Sequence, residues 1–421
     1  MRATSLREVE QLAGGVPAVD SPVGLWRSAG LRRLFTASTT ARLANEAARV
    51  AVVLLVLERT GSPALAGAVV GALTLPALVT GPVLGAWLDR TTRRRRAFVA
   101  NQLLLLGGLL GLLAATGSAP ASVVLGLALL SGVTAPVLTG GFTGLIAPLV
   151  PAPLLRRAYG AEATSYNVAA VTGPAMVGTI AGLLGADVAV AVIAGLSALA
   201  LVAVLRVPMP VPPLPAGSRG LWRTVRDGLQ LLVRTPALRS VTTATTIAFA
   251  GMGAMPVAFP LLARDLGAGA AAAGLLFSTF ALGALAGSLL VAVRTPSIGP
   301  MRLTYIGIAG LGLAWGALLL APSLPVAVAI IAVAGALEGP VLASTLAVRE
   351  LWSPASMRTQ IVTTAASLKF GGFAVGSAVA GVAAASYGVA GALTVAATAQ
   401  ALAVVSGLLV AGRSLQPSRR Y

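Results

Sequence analysis

The sequence predicts an all-α integral membrane protein: twelve transmembrane helices in two six-helix bundles related by pseudo-symmetry. Three observations carry that expectation. Of 421 residues, 57% are hydrophobic and only 10% charged, outside the range of soluble and disordered chains alike. The apolar residues fall into stretches of about 20, the length that crosses a hydrocarbon layer. Glycines and prolines of the first half return in the second at a near-constant shift.

Taken in order, the stretches are 34–57, 63–88, 97–117, 120–147, 158–184 and 188–206, then 237–262, 269–293, 301–321, 323–347, 357–386 and 388–411. Short turns rich in Gly, Pro, Ser and charge separate them. The fifth is the most polar, since Glu162, Tyr166 and Asn167 fall in its first turns. Residues 1–30 hold Arg2, Arg7, Glu8, Glu10 and Asp20 without an apolar run leading to a small-residue cleavage site, so they are expected to remain as a tail. Residues 207–217 are too rich in proline for a helix. Residues 218–234 place Leu221, Trp222, Val225, Leu229 and Leu232 on one face and Arg219, Arg223, Arg226 and Arg234 on the other, an amphipathic helix suited to a membrane surface. The expected layout is therefore a tail (1–30), a bundle (31–206), a linker (207–235), a second bundle (236–412) and a short tail (413–421). Repeat pairs support it: Gly81 and Gly85 with Gly283 and Gly287, Pro136 with Pro340, and Gly173 and Gly178 with Gly371 and Gly376.

The net charge of +18 reads as orientation rather than as affinity for nucleic acid. With both termini cytoplasmic, 25 of the 30 basic residues fall on the inner side, facing an anionic leaflet. Arg59 and Arg264 fall outside, beside Glu58 and Asp265, and Arg42, Arg49 and Lys369 fall within spans. Trp26, Trp87, Trp222 and Trp352 mark inner span ends, as an aromatic belt does. Without Cys or His, the chain lacks the means for disulfides, for common zinc or haem sites and for a Ser-His-Asp triad. No phosphate-cradling G-x-x-x-x-G-K-[ST] loop occurs. No cofactor, metal or enzymatic activity is expected.

At 81–96, GPVLGAWLDRTTRRRR, the chain resembles the loop signature of the major facilitator superfamily between spans 2 and 3. Gly85, Asp89, Arg90, Arg93 and Arg94 match it; Trp87, Leu88 and Thr92 depart from it. The resemblance implies that Asp89 caps or pairs with inner helix ends and holds the outward-facing state, with the arginines as gating partners. Gly173, Pro174 and Gly178 resemble the Gly-Pro stretch of the exporting branch, and 57–85 is similar in style to multidrug and macrolide efflux carriers. The resemblance implies a multi-pass, monomeric plasma-membrane transporter of a small molecule.

Charges inside the bilayer are the candidate site, since each costs about 2.5–3.5 kcal/mol at midplane. Arg42, Glu46 and Arg49 recur at i, i+4 and i+7, one face of span 1. Glu46 lies about 18 Å along that span, near midplane. Glu46 is the leading proton-coupling acid, released and reloaded as Arg42 or Arg49 rearranges; an ion pair that merely lets the helix insert is the competing reading. Glu338 in span 10 is the second proton-coupling candidate, or a partner for cationic substrate or for Lys369. Arg42, Asn45, Arg49, Tyr166, Asn167 and Lys369 are the substrate-binding candidates, although the last three suit helix packing as well. The function expected is proton-coupled efflux of a small amphipathic, drug-like compound. Alternatives are import, export of an anion such as a siderophore, and a non-transporting scaffold or sensor of the same fold.

Overall fold

A computed structural model describes residue 26 and residues 28–134, 137–151, 154–209, 221–294, 297–354 and 357–411. The N-terminal tail to residue 25, the stretch 210–220 and the C-terminal tail from 412 lie outside the described residues. Span 1 is α1 (Ala29–Thr60), and span 2 is α2 (Pro63–Thr74) with α3 (Ala77–Arg90). Span 3 is α4 (Arg94–Ala115); span 4 comprises α5 (Ala121–Gly132), a π-helical turn (Val137–Gly141) and α6 (Ile146–Leu149). Spans 5 and 6 are α7 (Leu155–Leu184) and α8 (Ala186–Leu205), and the linker helix is α9 (Leu221–Arg234). Span 7 is α10 (Pro236–Met252) with α11 (Met255–Asp265); spans 8 to 10 are α12 (Ala270–Val293), α13 (Pro300–Leu318) and α14 (Leu324–Trp352). The final segment, α15 (Arg358–Ala411), is two helices divided at Gly388.

Among the described residues nine segments are long and apolar enough to cross a membrane. The count reaches twelve because α1 carries Arg42, Glu46 and Arg49 in its apolar stretch, α5 is short, and α15 holds two spans. Local chemistry sets these limits. The Ser28 hydroxyl accepts from the Leu31 amide at the start of α1, and Gly61 closes its end in the left-handed conformation. Gly388, at φ 60° and ψ −152°, adopts a backbone that L side chains avoid, and the chain reverses there between spans 11 and 12. The expectation of an unbroken span 4 is corrected: a π-helical turn with Gly141 at its end interrupts it. Proline at 76 likewise divides span 2, since the ring removes a donor and crowds the preceding turn.

Buried side chains form one core from Leu31 to Val207 and another from Ala244 to Ala403. Glycines join the two halves. A Cβ on Gly178 of span 5 would lie 2.7 Å from the Gly274 Cα of span 8, and one on Gly381 of span 11 would lie 2.9 Å from the Gly67 Cα of span 2. Only glycine permits such approach. One turn inward, Gly173 faces Ala47 of span 1 and Gly376 faces Ala250 of span 7. Spans 5 and 11 are thus matched by Gly173 with Gly376 and Gly178 with Gly381, a shift of 203 that agrees with the other repeats. This corrects the sequence pairing with Gly371 and Gly376, which had slipped by five residues.

At the end of the bundle carrying the tight turns, Arg59 ties three spans together. Its guanidinium donates to Asp187 at 2.9 Å, to the Thr116 carbonyl at 2.9 Å and to the Leu113 carbonyl. Glu58 accepts from the Ala186 amide at 3.0 Å, capping α8. Arg59 therefore pairs across helices and not with its neighbour Glu58. At the opposite end Leu232 of α9 packs with Leu238 and Ile361, and Trp26, Trp87 and Trp352 are exposed.

Candidate functional site

The charges of span 1 divide into two pairs. Arg42 is 2% exposed and turns towards span 5, where both of its terminal nitrogens donate to Glu162, itself 4% exposed. Nη1 reaches one carboxylate oxygen at 3.0 Å and also donates to the Ser165 hydroxyl. The Arg42 guanidinium lies over the Tyr166 ring, 3.9 Å from its centroid. Thr143, just beyond the π-helical turn, donates to Glu162 at 2.8 Å. Spans 1, 4 and 5 thus close one buried network in which the charges cancel and most polar atoms are bonded. Burial of the pair is tolerable for that reason.

Arg49 instead pairs with Glu46 on its own helix, and both are about one-third exposed. Arg42, Glu46 and Arg49 do not form the single triad their spacing suggests. The side chain of Glu46 lies beside Gly173, where spans 1 and 5 cross. Asn45 is half-buried; Asn167 is exposed and its side chain makes no hydrogen bond among the described residues. Next to the Arg42–Glu162 pair, a groove of about 600 Å³ runs between the first turns of spans 1 and 5. Trp26, Phe35, Thr36, Thr40, Thr164 and Ser165 line it, and Ser165 also belongs to the ion-pair network. Its size and mixture of aromatic and hydroxyl groups suit a small amphipathic ligand.

A second charged group occupies the other half. Glu338 and Arg349 of α14 and Lys369 of span 11 are buried at 9%, 3% and 5% exposure. Lys369 interacts electrostatically with both, and its ammonium lies 4.5 Å from the centroid of the Phe249 ring. The Nε and Nη2 atoms of Arg349 have no hydrogen-bond partner among the described residues, nor does the buried hydroxyl of Thr345 one turn away. From sequence, Arg349 was expected in a loop; α14 continues past it to Trp352 and carries it inside.

The Gly-Pro stretch lies where three spans meet. Gly173 faces span 1 and Gly178 faces span 8, while Ser278 of span 8 donates to the Val171 carbonyl at 2.6 Å. In the loop signature, α3 ends at Arg90 and α4 begins at Arg94. Arg94 is buried and its Nε donates to the Leu88 carbonyl at 3.0 Å, a cation at a helix C-terminus. Arg93 is exposed. The side chains of Gly85, Asp89 and Arg90 lie outside the described residues.

Residues 21–418 match the model of the transmembrane secretion effector family of major facilitator proteins. The chain belongs to that family. It is 28% identical over 372 residues to the MFS-type transporter y4rN of Sinorhizobium fredii, covering 84% of this chain and 88% of that protein. To the multidrug efflux pump Tap of Mycolicibacterium fortuitum it is 27% identical over 355 residues, 82% and 87% of the two chains. Among solved structures it is similar to the nucleoside transporter NupG, with a TM-score of 0.76 and 13% identity over 90% of this chain and 98% of that one. It is also similar to an inward-facing bacterial homologue of the lysosomal transporter Spinster, with a TM-score of 0.68 and 18% identity over 91% and 96%. These likenesses establish the fold. The protein is a major facilitator and a multi-pass membrane transporter, not an enzyme.

Proposed function

We propose that this transporter exports a small amphipathic, drug-like compound in exchange for protons. The observation that carries the reading is the pairing of charges in span 1: a buried Arg42–Glu162 pair lies beside an Arg49–Glu46 pair that is about one-third exposed, next to a groove of ligand size. The first pair holds spans 1 and 5 together. The second is free to exchange its partner, so Glu46 is the proton-carrying acid, with Glu338 as the second candidate. Similarity to a protein named as a multidrug efflux pump supports export. Both termini are placed in the cytoplasm of a monomer in the plasma membrane, an orientation supported by the inner-side excess of arginine.

On this reading the tight glycine contacts of spans 5 with 8 and 11 with 2 seal the outer side, and the groove opens inward. Each charge moved through 100 mV supplies about 2.3 kcal/mol, enough for roughly 50-fold accumulation. The test is transport by the purified chain in liposomes under an imposed pH gradient. Glu46→Gln is expected to abolish gradient-driven transport while leaving exchange of labelled for unlabelled substrate intact. Unchanged driven transport would refute the role of Glu46. Export of an anionic compound is a second reading, favoured by Arg349, a buried cation with no hydrogen-bond partner at Nε and Nη2 among the described residues.

A further inference from the structure

A pocket of about 440 Å³ opens where the first two turns of α1 meet the end of α8; it borders the groove at Thr36 but holds none of the charge pairs of the transport site. Arg32, Arg33 and Thr36 of α1 and Arg206, just past α8, line it with two alanines, and no carboxylate does among the described residues. Arg32 is partly engaged, donating to the Trp26 carbonyl. Arg33 and Arg206 are exposed and make no side-chain hydrogen bond or ion pair among the described residues. Two features add to the positive field. The N-terminus of α1 points there with no acidic residue in its first turn. The last carbonyls of α8, which would repel an anion, are covered by Arg95, which donates to Leu205 at 2.7 Å and Val207 at 3.1 Å.

The surroundings distinguish a lipid from a free anion. Val188, Val192, Leu199 and Val202 are exposed on one face of α8, and Arg206 continues that face at i+18 from Val188. The stripe runs for about 27 Å, the full depth of a hydrocarbon layer, and Gly195 within it has open space where a Cβ would be. Exposed Trp26 packs edge-on against Phe35 at 5.1 Å, at the headgroup level that tryptophan favours. We infer that this pocket is a binding site for one anionic phospholipid, its phosphodiester held by Arg33 and Arg206 and an acyl chain lying along α8.

Purified full-length protein in nanodiscs of equal phosphatidylglycerol and phosphatidylcholine is released and analysed by native mass spectrometry. The wild type is expected to retain phosphatidylglycerol over phosphatidylcholine by about 30-fold, equivalent to about 1 kcal/mol for each of two arginines. Arg33→Gln/Arg206→Gln should lose that preference, whereas Arg33→Lys/Arg206→Lys and the linker variant Arg219→Gln/Arg223→Gln should keep it. Equal retention of the two lipids by the wild type overturns the site. So does undiminished preference in the glutamine variant, or equal loss in the linker variant, which marks general attraction to basic surface. If millimolar inorganic phosphate raises thermal stability as much as phosphatidylglycerol does, the ligand is free phosphate and the lipid assignment fails. Gradient-driven transport is measured alongside, so failure of the lipid site and failure of the export reading are read separately.

Discussion

The Arg42–Glu162 pair yields a stability prediction with opposite signs for single and double substitution. Glu162→Met leaves a guanidinium at 2% exposure with only the Ser165 hydroxyl and the face of Tyr166 as partners. Breaking a buried pair from one side costs about 3–5 kcal/mol, since the remaining charge has lost its compensation. Arg42→Met costs less, because the orphaned carboxyl keeps the Thr143 hydroxyl at 2.8 Å. The double variant removes both charges, and apolar replacement of a buried pair is close to neutral; it should lie within about 1 kcal/mol of wild type. The cycle therefore predicts a coupling of several kcal/mol between two helices 120 residues apart in sequence. Tryptophan fluorescence during unfolding in mixed detergent micelles reads it, with five tryptophans as reporters. Additive single and double effects, or a Glu162→Met loss below about 0.5 kcal/mol, would refute the account of the pair as a buried clamp.

Other expectations follow from the same geometry. Gly178→Leu should prevent the close approach to Gly274, since even a Cβ there would lie 2.7 Å from backbone; in this cysteine-free chain, a cysteine placed at Ser278 should label faster from the tight-turn side in the leucine variant, and an unchanged rate would show the seal lies elsewhere. Arg349→Met should raise unfolding stability by about 1–3 kcal/mol, because it removes a buried cation that faces Lys369 and keeps the volume; a loss of stability would reveal a counter-ion. Gly388→Ala should destabilise by about 1–3 kcal/mol through strain at φ 60°, ψ −152°, with little change in transport when measured at low temperature.

Span number and class were legible because hydropathy acts over 20 residues and tolerates local irregularity. Breaks in spans 2, 4 and 7 were not, since each rests on one or two glycines or prolines whose effect depends on what packs beside them. Repeat matching failed for span 11 for a related reason: Gly371, Gly372, Gly376 and Gly381 are alike in sequence, and only their neighbours tell which serves span 7 and which span 2. The charges of span 1 were found by their cost in hydrocarbon, but their partners were not. Glu162 had been seen only as a polar residue in a weak span. Its being the single acidic residue of that span was a usable signal, yet pairing it with Arg42 required knowing that spans 1 and 5 are neighbours. Arg349 was missed because a helix end in a membrane is set by the last packed turn, and α14 runs on to Trp352, beyond the apolar stretch ending at 347 and past its arginine.

The two halves differ in charge although they share a scaffold, and the difference bears on how a cycle would be driven. In the first half each described charge deep in the bundle has an opposite charge in contact, Arg42 with Glu162 and Arg49 with Glu46. In the second, Lys369 feels both one carboxylate, Glu338, and a second buried cation, Arg349, and neither cation makes a close ion pair among the described residues. A buried, bonded network such as that of Arg42 and Glu162 resists displacement, whereas an excess positive charge in low dielectric is relieved by whatever anion or proton loss accompanies the next state. A rocking motion of one half against the other would then keep spans 1 and 5 as a rigid unit and change the surroundings of Glu338, Lys369 and Arg349. The proposed assignment of proton exchange to Glu46 and the alternative of Glu338 thus differ in a measurable way. If Glu46 carries the proton, Glu338→Gln should leave gradient-driven transport largely intact and alter substrate affinity; if Glu338 does, the two substitutions exchange phenotypes, and the unbalanced half is the one that couples.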